Sequence, residues 1–261
     1  MRIEDQNEAV DCIAQVQQEA AREQPQQPGS SQSFIDHIDQ LHADKQFEKV
    51  FDLLQRAGAA DESAAVASAW RFARAHHDMA ELASDDKTES ILRDGLQTAR
   101  SALERADKGS DDWAYCHKWM AIMLGSLGEF LPVREKVSNS FVIKDSLDAA
   151  AHVLTHDPSL QLALGEWCFK VSTISWVEQN LAKMLFGASP PQSSLEEALT
   201  FYERSWTLKP SKKTAYKLGL VHAKLREPGE ARHWFETCLL IGGVSNPEMV
   251  LDELARTQLA S

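Results

Sequence analysis

The chain has 261 residues, 43% of them hydrophobic and 25% charged, with a formal net charge of −12. That length supports one sizeable core or a stack of small ones, and the composition is that of an ordinary globular protein. The negative charge argues against general nucleic-acid binding, which depends on neutralising phosphates, and no run of about 18 to 20 apolar residues is present to cross a bilayer. The opening MRIEDQNEAV carries acids where a signal peptide or mitochondrial presequence needs bases and an apolar stretch. The expected location is therefore the cytoplasm.

In chain order, residues 4 to 24 form a polar helix candidate rich in Gln, Glu and Ala. Pro25 to Ser33, PQQPGSSQS, cannot sustain a helix and reads as a linker, so the expected domain is 34–261, with 1–33 as an appendage. Phe34, Ile38 and Leu41 share one helical face, and Phe47, Val50, Phe51 and Leu54 continue it until Gly58 stops the helix. Ser63 to Leu82 is Ala-rich and carries Val66, Trp70 and Phe72. Thr88 to Ala106 has an apolar stripe of Ile91, Leu92, Leu96, Ala99 and Leu103. Asp111 or Asp112 is placed to cap the next helix, with Tyr115, Trp119, Ile122 and Met123, ahead of Gly125 and Gly128. Alternating β-branched runs and hairpin dipeptides are lacking, so the fold class is all-α.

The helices recur with a register. A tetratricopeptide unit is a helix pair of about 34 residues. Helix A carries a Leu-Gly; helix B carries an Ala, an aromatic and another small residue, and a Pro ends it. Small residues let the two helices approach, the aromatic fills the space between units, and Pro cannot continue a helix. Leu218-Gly219 supply the helix A signature, followed by Ala231, Phe235 and Cys238. Upstream, Ala198, Tyr202 and Ser205 hold the same places and Pro210 closes the unit; the two alanines lie 33 residues apart. Leu164-Gly165 begin the partner helix A after Asp157-Pro158, and Leu124-Gly125 are a more degenerate third instance. The expected architecture is a tetratricopeptide-like α-α superhelix of antiparallel helix pairs. Two lengthenings interrupt it. One, from Ser172 to Pro191, carries Ile174, Val177, Leu181 and Leu185 at helical spacing and reads as an inserted amphipathic helix or an extended helix A. The other follows Gly128 through Phe130-Leu131-Pro132 to Ser140.

Three segments resemble one family. Leu164-Gly165-Glu166-Trp167-Cys168-Phe169-Lys170-Val171-Ser172 followed by Ser175-Trp176-Val177-Glu178, Cys116-His117-Lys118-Trp119, and Trp70-Arg71-Phe72-Ala73-Arg74-Ala75 together resemble the regulator of microtubule dynamics family, from about Phe34 to the C-terminus. The resemblance implies a degenerate tetratricopeptide domain without catalytic activity that associates with microtubules and the mitotic spindle and acts in chromosome segregation. It also implies a place at the spindle poles. Some animal relatives carry an N-terminal membrane anchor and bind phospholipid at organelle contacts; the polar N-terminus here departs from them, which favours a cytoskeletal reading.

Candidate partner-binding residues follow from charge. Between Phe201 and Phe235 there are eight bases and three acids. Lys209, Lys212, Lys213, Lys217 and Lys224 form a basic cluster that could meet an acidic surface such as tubulin's, or could be a solvated helix face. Groove or pocket candidates are Arg71, Arg74, Trp119, Trp167 and Trp176. For the tryptophans the alternative is packing between helices, and for the two arginines an internal salt bridge. A phospholipid in such a pocket, or a peptide in the groove, are the alternative partners.

No catalytic residue, metal or cofactor is expected. Phosphate-loop, dinucleotide-binding and nucleophile-elbow motifs are lacking. His152 and His156 stand four apart but without an HExxH context, and read as a surface pair. Cys12, Cys116, Cys168 and Cys238 are far apart and form no CxxC, so they read as reduced, packed thiols.

Overall fold

The computed structural model describes residues 31–61, 64–174, 183–184, 192–243 and 245–260, and every regular element among them is a helix. The chain divides into two units, with the boundary between Gln46 and Phe47.

In the first unit, α1 spans Ser31–Ala43 and buries Ile35, Ile38 and Leu41, spaced three residues apart along one face. The helix ends where Lys45 adopts a left-handed φ of 58°. There the Gln46 N–H donates to the Leu41 carbonyl at 2.9 Å, satisfying an end group that the helix leaves open.

The second unit opens with α2, Phe47–Arg56, an amphipathic helix whose Val50 and Leu54 are fully buried. Gly58, at φ 66°, stops it as the sequence predicts, and the Ala59 N–H returns to the Leu54 carbonyl. The helices that follow are α3 (Val66–Leu82), α4 (Asp85–Arg105), α5 (Asp111–Leu127), α6 (Val133–Ala151), α7 (Pro158–Ser172), α8 (Leu195–Leu208), α9 (Lys212–Lys224), α10 (Pro228–Leu240) and α11 (Asn246–Ala260). They pack as the pairs α3/α4, α5/α6, α7/α8 and α9/α10, with each pair stacked on the next and α11 laid against α9 and α10. Short connections make neighbours antiparallel. In repeat terms the odd-numbered members of these pairs are the A helices.

Helix starts are set by side chains. Ser110, not Asp111 or Asp112, is the N-cap of α5 and accepts the Trp113 N–H at 3.1 Å; the two aspartates occupy the first turn. Asp157 caps α7 with Pro158 in the first turn, and Ser194 with Glu197 forms a reciprocal capping box on α8. The extra length after Gly128 becomes a 3-10 turn, Gly128–Phe130, and a B helix, α6, of 19 residues. The lengthening from Ser172 to Pro191 lies mostly outside the described residues.

The register rests on close approaches that no side chain could allow. A Cβ at Gly165 would stand 2.5 Å from Cδ1 of Tyr202, and one at Gly219 would stand 2.5 Å from Cε1 of Phe235. Leu164-Gly165 and Leu218-Gly219 thus do the packing work the sequence assigned to them. Leu124-Gly125 does not: a Cβ at Gly125 meets nothing within 4 Å. The small residues of α5 buried in the core are Ala114, Cys116 and Ala121. A third close approach, Gly95 of α4 against His76 Cβ at 2.7 Å, had no dipeptide signature.

Among the described residues, three apolar clusters run through the unit. The first joins α3, α4 and α5 around Trp70, Leu96 and Met123. The second spans α5 to α9 around Leu147, Leu164 and Tyr202, and the third joins α9, α10 and α11 around Phe235 and Ala255. Burying a Leu such as Leu160 stabilises by about 1.5–3 kcal/mol, so truncating it would weaken the second cluster.

Candidate functional site

Each A helix touches the next: α3 meets α5, α5 meets α7, and α7 meets α9. At the first junction the Trp70 and Tyr115 rings stack, with centroids 4.2 Å apart and planes 16° from parallel. The Arg71 guanidinium lies 4.0 Å from the Trp70 centroid on one side, and Lys118 Nζ lies 4.7 Å from the Tyr115 ring. Cations on the faces of stacked rings are attracted by their quadrupoles. Arg74 approaches the same indole at 5.4 Å, and the Trp70 Nε1–H donates to Asp112 at 2.7 Å.

Lys118 then carries the linkage to α7. Its ammonium is almost fully buried and donates to Asp157 at 2.7 Å and to Ser159 at 3.0 Å. Asp157 simultaneously accepts the Leu160 N–H at 2.8 Å as N-cap. Burial alone would raise its pKa, but Lys118, the Ser159 hydroxyl and the Leu160 N–H outweigh that and hold it below the usual carboxylate range. One carboxylate therefore both starts α7 and neutralises α5.

Beyond this lies a second charged group. Lys217 of α9 pairs with Glu166 of α7 at 3.0 Å, and Lys213 of α9 pairs with Glu81 of α3 at 2.9 Å. Burial opposes the charge on Glu166, yet Lys217, Lys213 and Lys170 hold its pKa down to about 2. Burial likewise opposes charge on Lys213; Glu81, Glu166 and Asp78 reverse the effect and raise its pKa. The Lys213 and Glu81 side chains are nonetheless each 40% exposed. Both groups are thus crowded by protein yet still reached by water. This pair links the first A helix to the fourth, and α11 also meets α3, so the A helices form a closed circuit of contacts whose enclosed side is called the inner face. Lys170 adds a cation there, donating to the Gly125 carbonyl at 3.2 Å.

The five lysines of the basic cluster do not make one exposed patch. Lys212 is buried against Asp252 of α11; Lys213 and Lys217 face the interior in ion pairs; Lys209 and Lys224 are exposed at the ends of α8 and α9. Arg71 and Arg74 lie on Trp70. Trp119 is a buried member of the first cluster, its ring 5.8 Å from that of His77. Trp167 is packed between α6 and α7, with its Nε1–H on the Ser140 carbonyl at 3.0 Å and the Lys144 ammonium over its ring. Trp176 lies outside the described residues, as does Cys12. Among the acids, Asp112 enters the sequence reading only as a cap candidate and Glu166 only inside a family segment, whereas Glu81 carries no local signal.

Burial pushes the Cys116 thiol up to about 12 and raises Cys168 and Cys238, so these three are unreactive packing thiols. Among the described residues no three His, Cys, Asp or Glu gather to hold a metal, and no helix is long and apolar enough to cross a membrane.

Stacked antiparallel pairs with a glycine of each A helix against an aromatic of its B helix, the aromatics Tyr202 and Phe235 lying 33 residues apart, define a tetratricopeptide-type helical-repeat protein. A solved thermophilic TPR protein from Thermus thermophilus has the same fold, with a TM-score of 0.57 and 13% identity over 88% of this chain and 99% of that one. The model of the family described as regulator of microtubule dynamics protein 1-3 matches residues 34–261, and the chain belongs to that family. It is 29% identical to regulator of microtubule dynamics protein 1 of Bos taurus, over 77% of this chain and 62% of the relative. To regulator of microtubule dynamics protein 3 of Mus musculus it is 30% identical, over 69% of this chain and 38% of the relative. The chain thus spans less than two thirds of the length of these relatives.

Proposed function

We propose that this chain acts without catalysis, as a microtubule-associated binding protein of the cytoplasm and spindle with a role in chromosome segregation. Family membership over 34–261 carries the reading, because its relatives are named for the regulation of microtubule dynamics. Contact with tubulin's acidic surface is assigned to the exposed Lys209 and Lys224, at opposite ends of α9, with Lys213 and Lys217 between them along that helix. Co-sedimentation with polymerised microtubules tests this. Pelleting should weaken as salt rises, and Lys209→Glu with Lys224→Glu should lower it several-fold, since neither change touches the core. Pelleting that is insensitive to both salt and the double change would refute the basic contact.

A second reading, a phospholipid-binding module, draws on Lys170, Lys213 and Lys217 gathered around Glu166, a group of cations that suits an anionic headgroup. Native mass spectrometry of the purified chain should then reveal bound phospholipid. A chain that is always empty and extracts none from vesicles would exclude it.

A further inference from the structure

The ring of inner helices is not held equally all the way round. The junctions α3/α5, α5/α7 and α7/α9 lie within apolar clusters containing Trp70, Leu160, Leu164 and Leu218. Among the described residues, no cluster contains a residue of α3 together with one of α9 or α11, although these elements meet. Instead the meeting place is polar: Lys213 bonds Glu81 across 132 residues of sequence, Asp78 adds a negative charge beside Lys213, and Glu166 bonds Lys217 a turn further along α9. Both members of the closing pair are 40% exposed. Exposed ion pairs contribute little, because water solvates the separated charges nearly as well and salt screens them. Apolar junctions resist opening in proportion to the area they bury.

We propose that the Glu81–Lys213 pair is a clasp that closes the ring of A helices, and that an acidic segment of a partner opens it by taking Lys213. The second half rests on the reading that the inner face meets an acidic partner. Charge complementarity selects that occupant: Glu81 and Glu166 already sit on Lys213 and Lys217 as a partner's carboxylates would, so they hold the site in a self-occupied state. A partner carrying two or more neighbouring carboxylates replaces both at once, and Glu81, half exposed at the end of α3, swings into water at little cost. Opening separates the α3/α4 pair from α9 and α11 while leaving each apolar junction intact.

The test uses the full chain with Cys12 replaced by Ser and nitroxide labels on Ser90→Cys and Glu203→Cys, exposed positions on the B helices α4 and α8. Pulsed electron spin resonance reads the distance between them. Glu81→Lys should shift it to longer values, and Glu81→Asp, which keeps the carboxylate, should leave the wild-type distribution largely in place. Should Glu81→Lys fail to fold, the milder Glu81→Gln gives the same readout. In parallel, a fluorescent Glu-rich peptide should bind Glu81→Gln about two- to five-fold more tightly than the wild type, the range expected when one exposed ion pair no longer competes. Identical distances in wild type, Glu81→Gln and Glu81→Lys would overturn the clasp. A peptide that binds Glu81→Gln no better than the wild type would overturn opening by an acidic segment. Neither measurement contains tubulin, so a failure of microtubule pelleting stays separate from both.

Discussion

Replacing glycines by alanine separates the register of the repeat from helix propensity. Gly165, Gly219 and Gly125 all lie in helices, where alanine is more favourable by about 0.8–1.0 kcal/mol in the interior and less near an end. At Gly165 the new methyl carbon would stand 2.5 and 2.6 Å from two ring carbons of Tyr202, whose side chain is 1% exposed. Ordinary carbon contacts are about 3.5–4.0 Å, so the ring must retreat by about 1 Å within a filled core. Overpacking of that kind costs about 1–3 kcal/mol. The propensity gain offsets part of it, leaving Gly165→Ala less stable by up to about 2 kcal/mol. At Gly125 nothing lies within 4 Å, so only the gain remains. Gly125→Ala should therefore be more stable than Gly165→Ala by about 1–3 kcal/mol, or several degrees in Tm for a domain of this size. Urea titrations followed by circular dichroism measure the difference. Tyr202→Leu in the Gly165→Ala background should recover part of the loss by removing the opposing ring. A Gly165→Ala protein as stable as Gly125→Ala would refute the assigned helix contact.

Lys118→Met should destabilise by about 3 kcal/mol or more, because Asp157 keeps its charge in a site only 13% exposed and loses its ammonium. A double-mutant cycle with Asp157→Asn should give a coupling above about 1 kcal/mol, and additive losses would show that the two groups act independently. Acid should weaken the fold through Glu166. Its folded pKa of about 2 lies below the unfolded value near 4.5, so its contribution is complete above about pH 5 and disappears as the pH falls towards 2. Glu166→Gln should have a shallower loss of stability over that window, measured by urea midpoints at each pH. An unchanged slope would mean that its pairing with Lys217 is not felt.

Much of the fold is local in origin and could be read directly. The Leu-Gly of α7 and α9, the Ala and aromatic of α8 and α10, and the stop at Gly58 each act within one helix or one pair. Leu124-Gly125 misled because the dipeptide gives no sign of which residue faces α6; the buried small residues of α5 are Ala114, Cys116 and Ala121. The inner face was far less legible. Lys212 and Lys213 are neighbours in sequence, yet successive helical residues diverge by about 100°, so one meets Asp252 of α11 and the other Glu81 of α3. A basic count adds them together; the helix sends them to different partners. Trp70 and Asp112 are 42 residues apart, and Glu81 and Lys213 are 132 apart, separations at which no local pattern points to a contact.

In an open array of helical repeats, each unit interacts only with its neighbours, and the terminal units fray first because each lacks one neighbour. The bond from Lys213 to Glu81 alters that boundary. It gives the last pair a contact with the first, so the array becomes a loop in its pattern of couplings although the chain remains linear. Loss of α11 or α9 is then felt at α3, and local opening at either end is coupled to the other. Raising the salt concentration removes this coupling before it affects any apolar junction. Under those conditions the ends should exchange their amide hydrogens as independent units, while the α5–α7 region stays protected in both states.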